Sequence, residues 1–135
     1  MKNRSGLLKL KKFAVDEKRR QVNQIEAMLA DFDRMAQELE NQIQAEQRRV
    51  GIDDVTHFAY PTFARAAAQR RDNIKTSVGE LNDQLNRAQD ALTEAIADLK
   101  KVEMMEEREQ ARMRQAVEAA EQSQLDEVAG RLSDH

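Results

Sequence analysis

A seven-residue repeat of apolar side chains runs along this chain and is interrupted only once. Before the interruption, Leu8, Val15, Val22, Leu29, Ala36, Ile43 and Val50 stand seven apart, with Lys11, Lys18, Ile25, Phe32, Leu39 and Glu46 as the companion series. After it, Ala67, Ile74, Leu81, Ala88, Ala95 and Val102 repeat in the same way, with Arg71, Val78, Leu85, Leu92 and Leu99 beside them. The steps alternate between three and four residues. That alternation keeps one stripe facing a partner helix in a left-handed coiled coil. It excludes β-structure, which needs a period of two.

The interruption lies between Gly51 and the only proline, Pro61. Glycine ends a helix because it takes the left-handed conformation at low cost. Proline starts one because its missing N–H is not needed in the first turn. The spacing predicts helix 1 over about 6–50, a connection over 51–60 and helix 2 over about 61–129, within one domain covering 1–135. Asp53 is placed to cap a short turn inside the connection. Gly79 lies inside helix 2 and costs roughly 1 kcal/mol against alanine there.

A short connection forces the helices antiparallel and sets their register. Leu39 is expected opposite Ile74, Ala36 opposite Val78, Phe32 opposite Leu81 and Leu29 opposite Leu85. The same register continues through Ile25–Ala88, Val22–Leu92, Lys18–Ala95 and Val15–Leu99. The expected fold is therefore all-α, a long two-helix antiparallel coiled-coil hairpin. Past Val102 the seam degrades to Glu106, Glu109, Met113 and Ala116, so residues 107–129 are expected to overhang as a lone or frayed helix. At ~1.5 Å per residue the paired part would be roughly 65 Å long and helix 2 about 100 Å.

Composition agrees with long wet helices. Charged residues make up 35% of the 135 residues and aromatics 4%, too polar for a compact globule of this length. The net charge of −3 is unevenly placed. Residues 1–20 carry eight Lys/Arg against two Asp/Glu, a local +6; residues 101–135 carry five against nine, a local −4. The antiparallel register lays the basic segment beside Asp90, Glu94, Asp98 and Glu103, so the two ends are expected to neutralise each other. With no cysteine, disulfides and thiolate metal sites are excluded. No apolar run approaches the ~20 residues of a membrane span. The apolar stretch after the basic start is broken by Lys9, Lys11 and Lys12, which makes a poor signal peptide; a cytoplasmic home is expected.

No catalytic constellation is present. There is no glycine-rich phosphate loop, and the two histidines, His57 and His135, stand at the connection and the C-terminus, too few and too far apart for a metal site. Carboxylates are abundant, but a two-stranded coiled coil has no cleft to shift their pKa values. No enzyme activity, cofactor or small-molecule ligand is expected. The basic segment could touch nucleic acid or a membrane surface, but an acidic strand already lies opposite it, so the neutralising role is favoured and no nucleic-acid partner is expected. Lys11 and Lys18 occupy seam slots, where their stems can snorkel outward. Glu46 and Arg71, polar seam residues near the corner, are candidates for a partly buried pair.

Three of the five aromatic residues cluster at the corner: Phe58, Tyr60 and Phe63. They either plug the end of the seam over Val50 and Ile52 or stand exposed as anchors for a partner. Both readings stay open for Phe58 and Tyr60. Phe63 lies one residue before the Ala64 seam slot and reads as an anchor.

With these residues in view, the whole chain resembles the FliJ family, a soluble component of the flagellar type III export apparatus. The resemblance is carried by Leu7-Leu8-x-Leu10-Lys11, by Val15-Asp16-Glu17-Lys18-Arg19-Arg20, by a glutamine-rich first helix and by the corner Phe58-Ala59-Tyr60-Pro61-Thr62-Phe63. The segment from Gly51-Ile52-Asp53 to His57-Phe58-Ala59-Tyr60-Pro61 is similar to the alphaproteobacterial branch.

The resemblance implies a stalk that enters the ring of a hexameric export ATPase and links it, with its regulator, to the membrane export gate. It also implies escort of empty export chaperones, and a place at the cytoplasmic face of the inner membrane beneath the flagellum. By position, it implies a gate-facing surface of Phe63, Ala67, Arg70 and Ile74 with Glu38, Gln42, Ala45 and Arg49, joined by the aromatics Phe58 and Tyr60. Ala45 and Arg49 stand where some relatives carry aromatics. The ring end would hold Lys9, Lys11, Lys12, Lys18, Arg19 and Arg20, with Met104, Met105, Arg108 and Arg112. A monomer is expected when free. The alternative is a purely structural coiled-coil dimer, or an adaptor outside protein export.

Overall fold

A computed structural model describes the backbone of residues 2–134 and the side chains of residues 5–134. It contains two helices, α1 (Lys2–Val50) and α2 (Thr62–Ser133), which pack against each other, and no strand among the described residues. This is the all-α two-helix architecture that the heptads predict. Each expected seam residue from Leu8 to Val50 and from Ala67 to Val102 is buried or half-buried. Val15, Val22, Ile43, Ala67, Leu81 and Val102 are the most enclosed of them. The stripe is narrow, so burial is shallow and no large side chain among the described residues is fully enclosed.

The helix ends differ from the expected ones by a few residues. α1 begins at Lys2, because nothing between residues 2 and 6 breaks a helix except Gly6, whose cost is small. α2 begins at Thr62, with Pro61 just outside it; the Pro61 carbonyl accepts the Arg65 N–H at 3.0 Å. α2 also passes through Gly130, which keeps a helical backbone, and ends at Ser133. α1 closes at Gly51, the one residue with positive φ among those described, at 73°, and its N–H donates to the Gln47 carbonyl at 2.8 Å. That is the left-handed helix stop that its position in the sequence predicts.

By contacts the chain forms two compact units. One comprises Asp16–Thr93 and holds the corner; the other comprises Met1–Val15 with Glu94–His135. In the second unit the half-buried positions extend to Ala111, and from Arg112 onward every described residue is exposed. Residues 112–133 nevertheless stay helical in this structure. Met113, Val117, Leu125, Val128 and Leu132 are its exposed apolar side chains. No described helix is long and apolar enough to cross a membrane.

Candidate functional site

The corner unit has its own small core. Ile43 from α1, Tyr60 from the connection, and Ala64 and Ala67 from α2 are buried together, with Leu39, Ile52 and Ala68 packed around them. Alanines at 64 and 67 let the chain return close to α1, and Tyr60 fills the space left at the end of the seam. The Tyr60 ring is 4% exposed, and its hydroxyl accepts a hydrogen bond from Gln47 Nε2 at 3.0 Å. Arg65 lies over the same ring, 5.7 Å from its centre, and donates to the Val55 carbonyl at 3.2 Å. Replacing Tyr60 by Phe removes the hydroxyl and is expected to cost about 1 kcal/mol, read as a thermal midpoint ~4 °C lower. An unchanged midpoint would show that the Gln47 bond adds nothing beyond what water supplies.

The turn inside the connection is capped by Asp54, where the sequence suggested Asp53. Asp54 Oδ1 accepts from the Thr56 N–H at 2.9 Å and the Thr56 hydroxyl at 2.7 Å, an arrangement that needs an acceptor side chain two residues before the threonine. The Thr56 hydroxyl and then its N–H hold the Asp54 carboxyl below its ordinary pKa.

The corner aromatics separate into the two roles. Tyr60 is the plug. Phe58 is 95% exposed, and its ring stacks on the His57 ring at 4.7 Å between centroids. Phe63 is 57% exposed on the first turn of α2. Ala67, implied by the resemblance as part of a surface, is buried in the small core and supports the surface from beneath.

One groove crosses both helices next to this core. Its cavity is about 440 Å³, lined by Met35, Glu38, Leu39 and Gln42 from α1 and by Arg70, Asn73 and Ile74 from α2. Leu39 and Ile74, opposite each other in the predicted register, share it. Four of the residues implied by the resemblance, Glu38, Gln42, Arg70 and Ile74, therefore come together. Ala45 and Arg49 do not line it; Arg49 is held by Glu46 on its own helix. Met35 and Asn73 were not singled out in the sequence. Met35 precedes a seam slot as Phe63 does, which is the signal that could have found it.

The expected Glu46–Arg71 pair does not form. Arg71 Nη1 instead meets Glu40 Oε2 at 2.6 Å, and its Nη2 lies 3.2 Å from Asp72; Glu46 pairs with Arg49. In the predicted register Arg71 faces residue 42, so Glu46 lies a full helical turn toward the corner while Glu40 is two residues away. The hydrogen bond from Arg71 holds the Glu40 carboxyl below its ordinary value of 4.5. A depressed folded-state pKa means that the bridge stabilises the fold above the unfolded value and is lost as pH falls through the folded one. Glu40→Gln is therefore expected to lower the midpoint at neutral pH by a few degrees, with an effect below ~1 kcal/mol because the pair is partly exposed. The difference from the unsubstituted protein should shrink below about pH 4.5. A constant difference across that range would exclude the bridge as its source.

The residues implied for the ring end are not brought together in the same way. Lys9, Lys11, Lys12, Met104, Met105, Arg108 and Arg112 belong to the second unit, while Lys18, Arg19 and Arg20 belong to the corner unit. Met104 and Met105 are about half exposed, Lys11 and Lys18 half-buried at their seam slots, and the remaining cations exposed. Arg20 pairs with Glu17 at 2.8 Å and Arg112 with Glu109 at 3.1 Å. Within the second unit, none of Lys9, Lys11 and Lys12 forms an ion pair with Glu94, Asp98 or Glu103 among the described residues. The expected neutralisation is thus not made by direct bridges, as surface pairs of long lysines gain too little to hold one geometry. His135 lies outside the described residues, and no cluster of metal-ligating side chains occurs among those described.

The class defined by this geometry is a two-helix coiled coil whose distinctive surfaces are an aromatic corner and a groove spanning both helices. A family model, Flagellar FliJ protein, matches residues 7–135, and the chain belongs to that family. No curated protein and no solved structure matches it significantly. Membership makes this a flagellar, export-related protein.

Proposed function

We propose that the protein is a non-catalytic stalk and adaptor of flagellar protein export, needed for flagellum assembly and motility. Its corner unit docks the membrane export gate, using Phe58, Phe63 and the groove of Gln42, Arg70 and Ile74. Its second unit, with Lys9, Lys11, Lys12, Met104, Met105, Arg108 and Arg112, meets the ring of the export ATPase and its regulator; Lys18, Arg19 and Arg20, on the corner unit, also contact the ring. It escorts empty export chaperones and works in the cytoplasm against the inner membrane at the flagellar base. It hydrolyses nothing itself and is monomeric when free.

The observation that carries the reading is the groove. An apolar strip of Met35, Leu39 and Ile74, flanked by Gln42 and Asn73 and edged by Glu38 and Arg70, has the make-up of a protein-docking site. Neither Glu38 nor Arg70 has an ion-pair partner among the described residues, so both charges are available to a partner. The test is capture from a flagellated host by the tagged chain. The export gate and the ATPase should both be retained, and Arg70→Glu should lose the gate while keeping the ATPase. Loss of neither or of both counts against this division of labour.

A second reading is favoured by the exposed Met113, Val117, Leu125, Val128 and Leu132 on α2. A lone helix with that many apolar side chains suits association with another coiled coil, including a second copy. Sedimentation at micromolar concentration separates the readings, because a dimer counts against the monomeric stalk.

A further inference from the structure

Two acid–base couples sit in the same stretch of the paired helices, and they are built differently. Glu40 of α1 and Arg71 of α2 close on each other at 2.6 Å. Glu38 and Arg70, both exposed and on the same two helices, form no ion pair and no side-chain hydrogen bond among the described residues. The closed couple cancels its own charge. The open couple leaves one charge of each sign beside the groove, whose apolar strip is Met35, Leu39 and Ile74.

The walls of the groove decide what form of chain it can receive. Both are α-helices, whose backbone N–H and C=O groups are spent within the helix. They offer no strand edge for an extended segment to pair with. Such a segment would find only side chains, chiefly the Gln42 and Asn73 amides, for its own backbone groups. A helix arrives with its backbone already satisfied and needs only an apolar stripe to bury. From Met35 to Gln42 α1 rises about 10 Å, or two turns, so the strip matches anchors at i, i+3 or i+4, and i+7 of one incoming helix.

We propose that the groove receives an amphipathic helix of the export gate whose two flanks carry opposite charges, a basic side chain to meet Glu38 and an acidic one to meet Arg70. Its apolar stripe packs on Met35, Leu39 and Ile74, and the three helices form a short bundle. Because the two charges stand on different helices, they also set direction. A helix entering the other way round exchanges its flanks and meets like charge at both edges. The inference rests on the proposed docking of the gate at this groove and adds the form and charge of what docks.

The chain has no cysteine, so Met35→Cys and Asn73→Cys each give one attachment point for a photo-crosslinker. Each labelled full chain is mixed with membranes holding the gate, and the cross-linked gate residues are mapped by mass spectrometry. Sites three, four and seven apart are expected; sites two apart mean an extended segment and overturn the helix. In parallel, capture of the gate is titrated with Glu38→Lys and Arg70→Glu. Neither side chain has an internal ion-pair partner, so both variants should melt with the unsubstituted protein. Each reversal should weaken capture roughly thirtyfold. Stronger capture by Glu38→Lys means an acidic partner surface, and stronger capture by Arg70→Glu a basic one; either overturns the opposed flanks. Unchanged capture by both reversals, with loss on Met35→Glu, keeps the groove as the gate site and removes the clamp. Normal capture by Met35→Glu as well takes the gate away from the groove, and the docking reading falls with the clamp. Self-association of the chain that Glu38→Lys disperses gives the groove to the exposed Met113 and Val117 of a second copy, and overturns the gate helix.

Discussion

Replacing Leu81 by Asp should lower the thermal midpoint by about 15 °C. Leu81 is 6% exposed and lies in the middle of the seam on α2. Truncating a buried leucine costs about 2–5 kcal/mol through lost transfer energy and the cavity left behind. The carboxylate adds a charge without a partner in the apolar stripe, so a total of about 4 kcal/mol or more is expected. Leu81→Met keeps volume and apolarity and should cost less than about 1.5 kcal/mol. Asp83, exposed two residues away, should tolerate alanine within ~0.5 kcal/mol. Circular dichroism melts of the three variants decide the matter. If Leu81→Asp melts with the unsubstituted protein, the seam is not where the packing energy lies.

Phe63→Ala should abolish motility in a host lacking its own copy, and should do so without loss of helicity. Phe63 is more than half exposed, so its removal touches little of the small core and should cost below ~1 kcal/mol of stability. A partner that encloses it would lose far more. Aromatic anchors commonly contribute ~2 kcal/mol or more when buried at an interface, roughly thirtyfold in affinity. Phe58→Ala tests the more exposed ring in the same way. Normal swimming of the Phe63 variant, at normal protein level, would remove Phe63 from the docking surface. Lost motility together with lost helicity would assign it to folding instead.

The legibility of the fold followed from the reach of its interactions. A heptad is a local pattern, and the burial of Val15, Val22, Ile43, Leu81 and Val102 can be read along one line of text because each faces the same stripe. The stop at Gly51 was legible for the same reason: it depends on one residue's own backbone freedom. Legibility failed where the chain folds across itself. Arg71 reaches Glu40, thirty-one residues away, and not Glu46: the predicted register puts Arg71 nearer Glu40, but Glu40 lies off the seam series, so a search along the seam alone picks the wrong carboxylate. Asp54 rather than Asp53 caps the connection, and only the path of an irregular segment distinguishes neighbouring aspartates. The basic segment was expected to be neutralised by the acidic part of α2; among the described residues Lys9, Lys11 and Lys12 make no ion pair with it, since net charge says nothing about which side chains come within reach.

The corner shows the same division. Three aromatics within six residues mark it as unusual, and the resemblance of that segment to the FliJ family is borne out by the family match over residues 7–135. Sequence alone determined that the protein is two helices with a wet exterior, an apolar stripe and a single break, because period, glycine and proline act locally on the chain. The tertiary structure alone decided that Tyr60 is buried, that Phe58 stands out against His57, and that Met35 and Asn73 join Gln42, Arg70 and Ile74 in one groove. Those outcomes depend on where side chains from two helices and their connection arrive in space, which no one-dimensional period encodes.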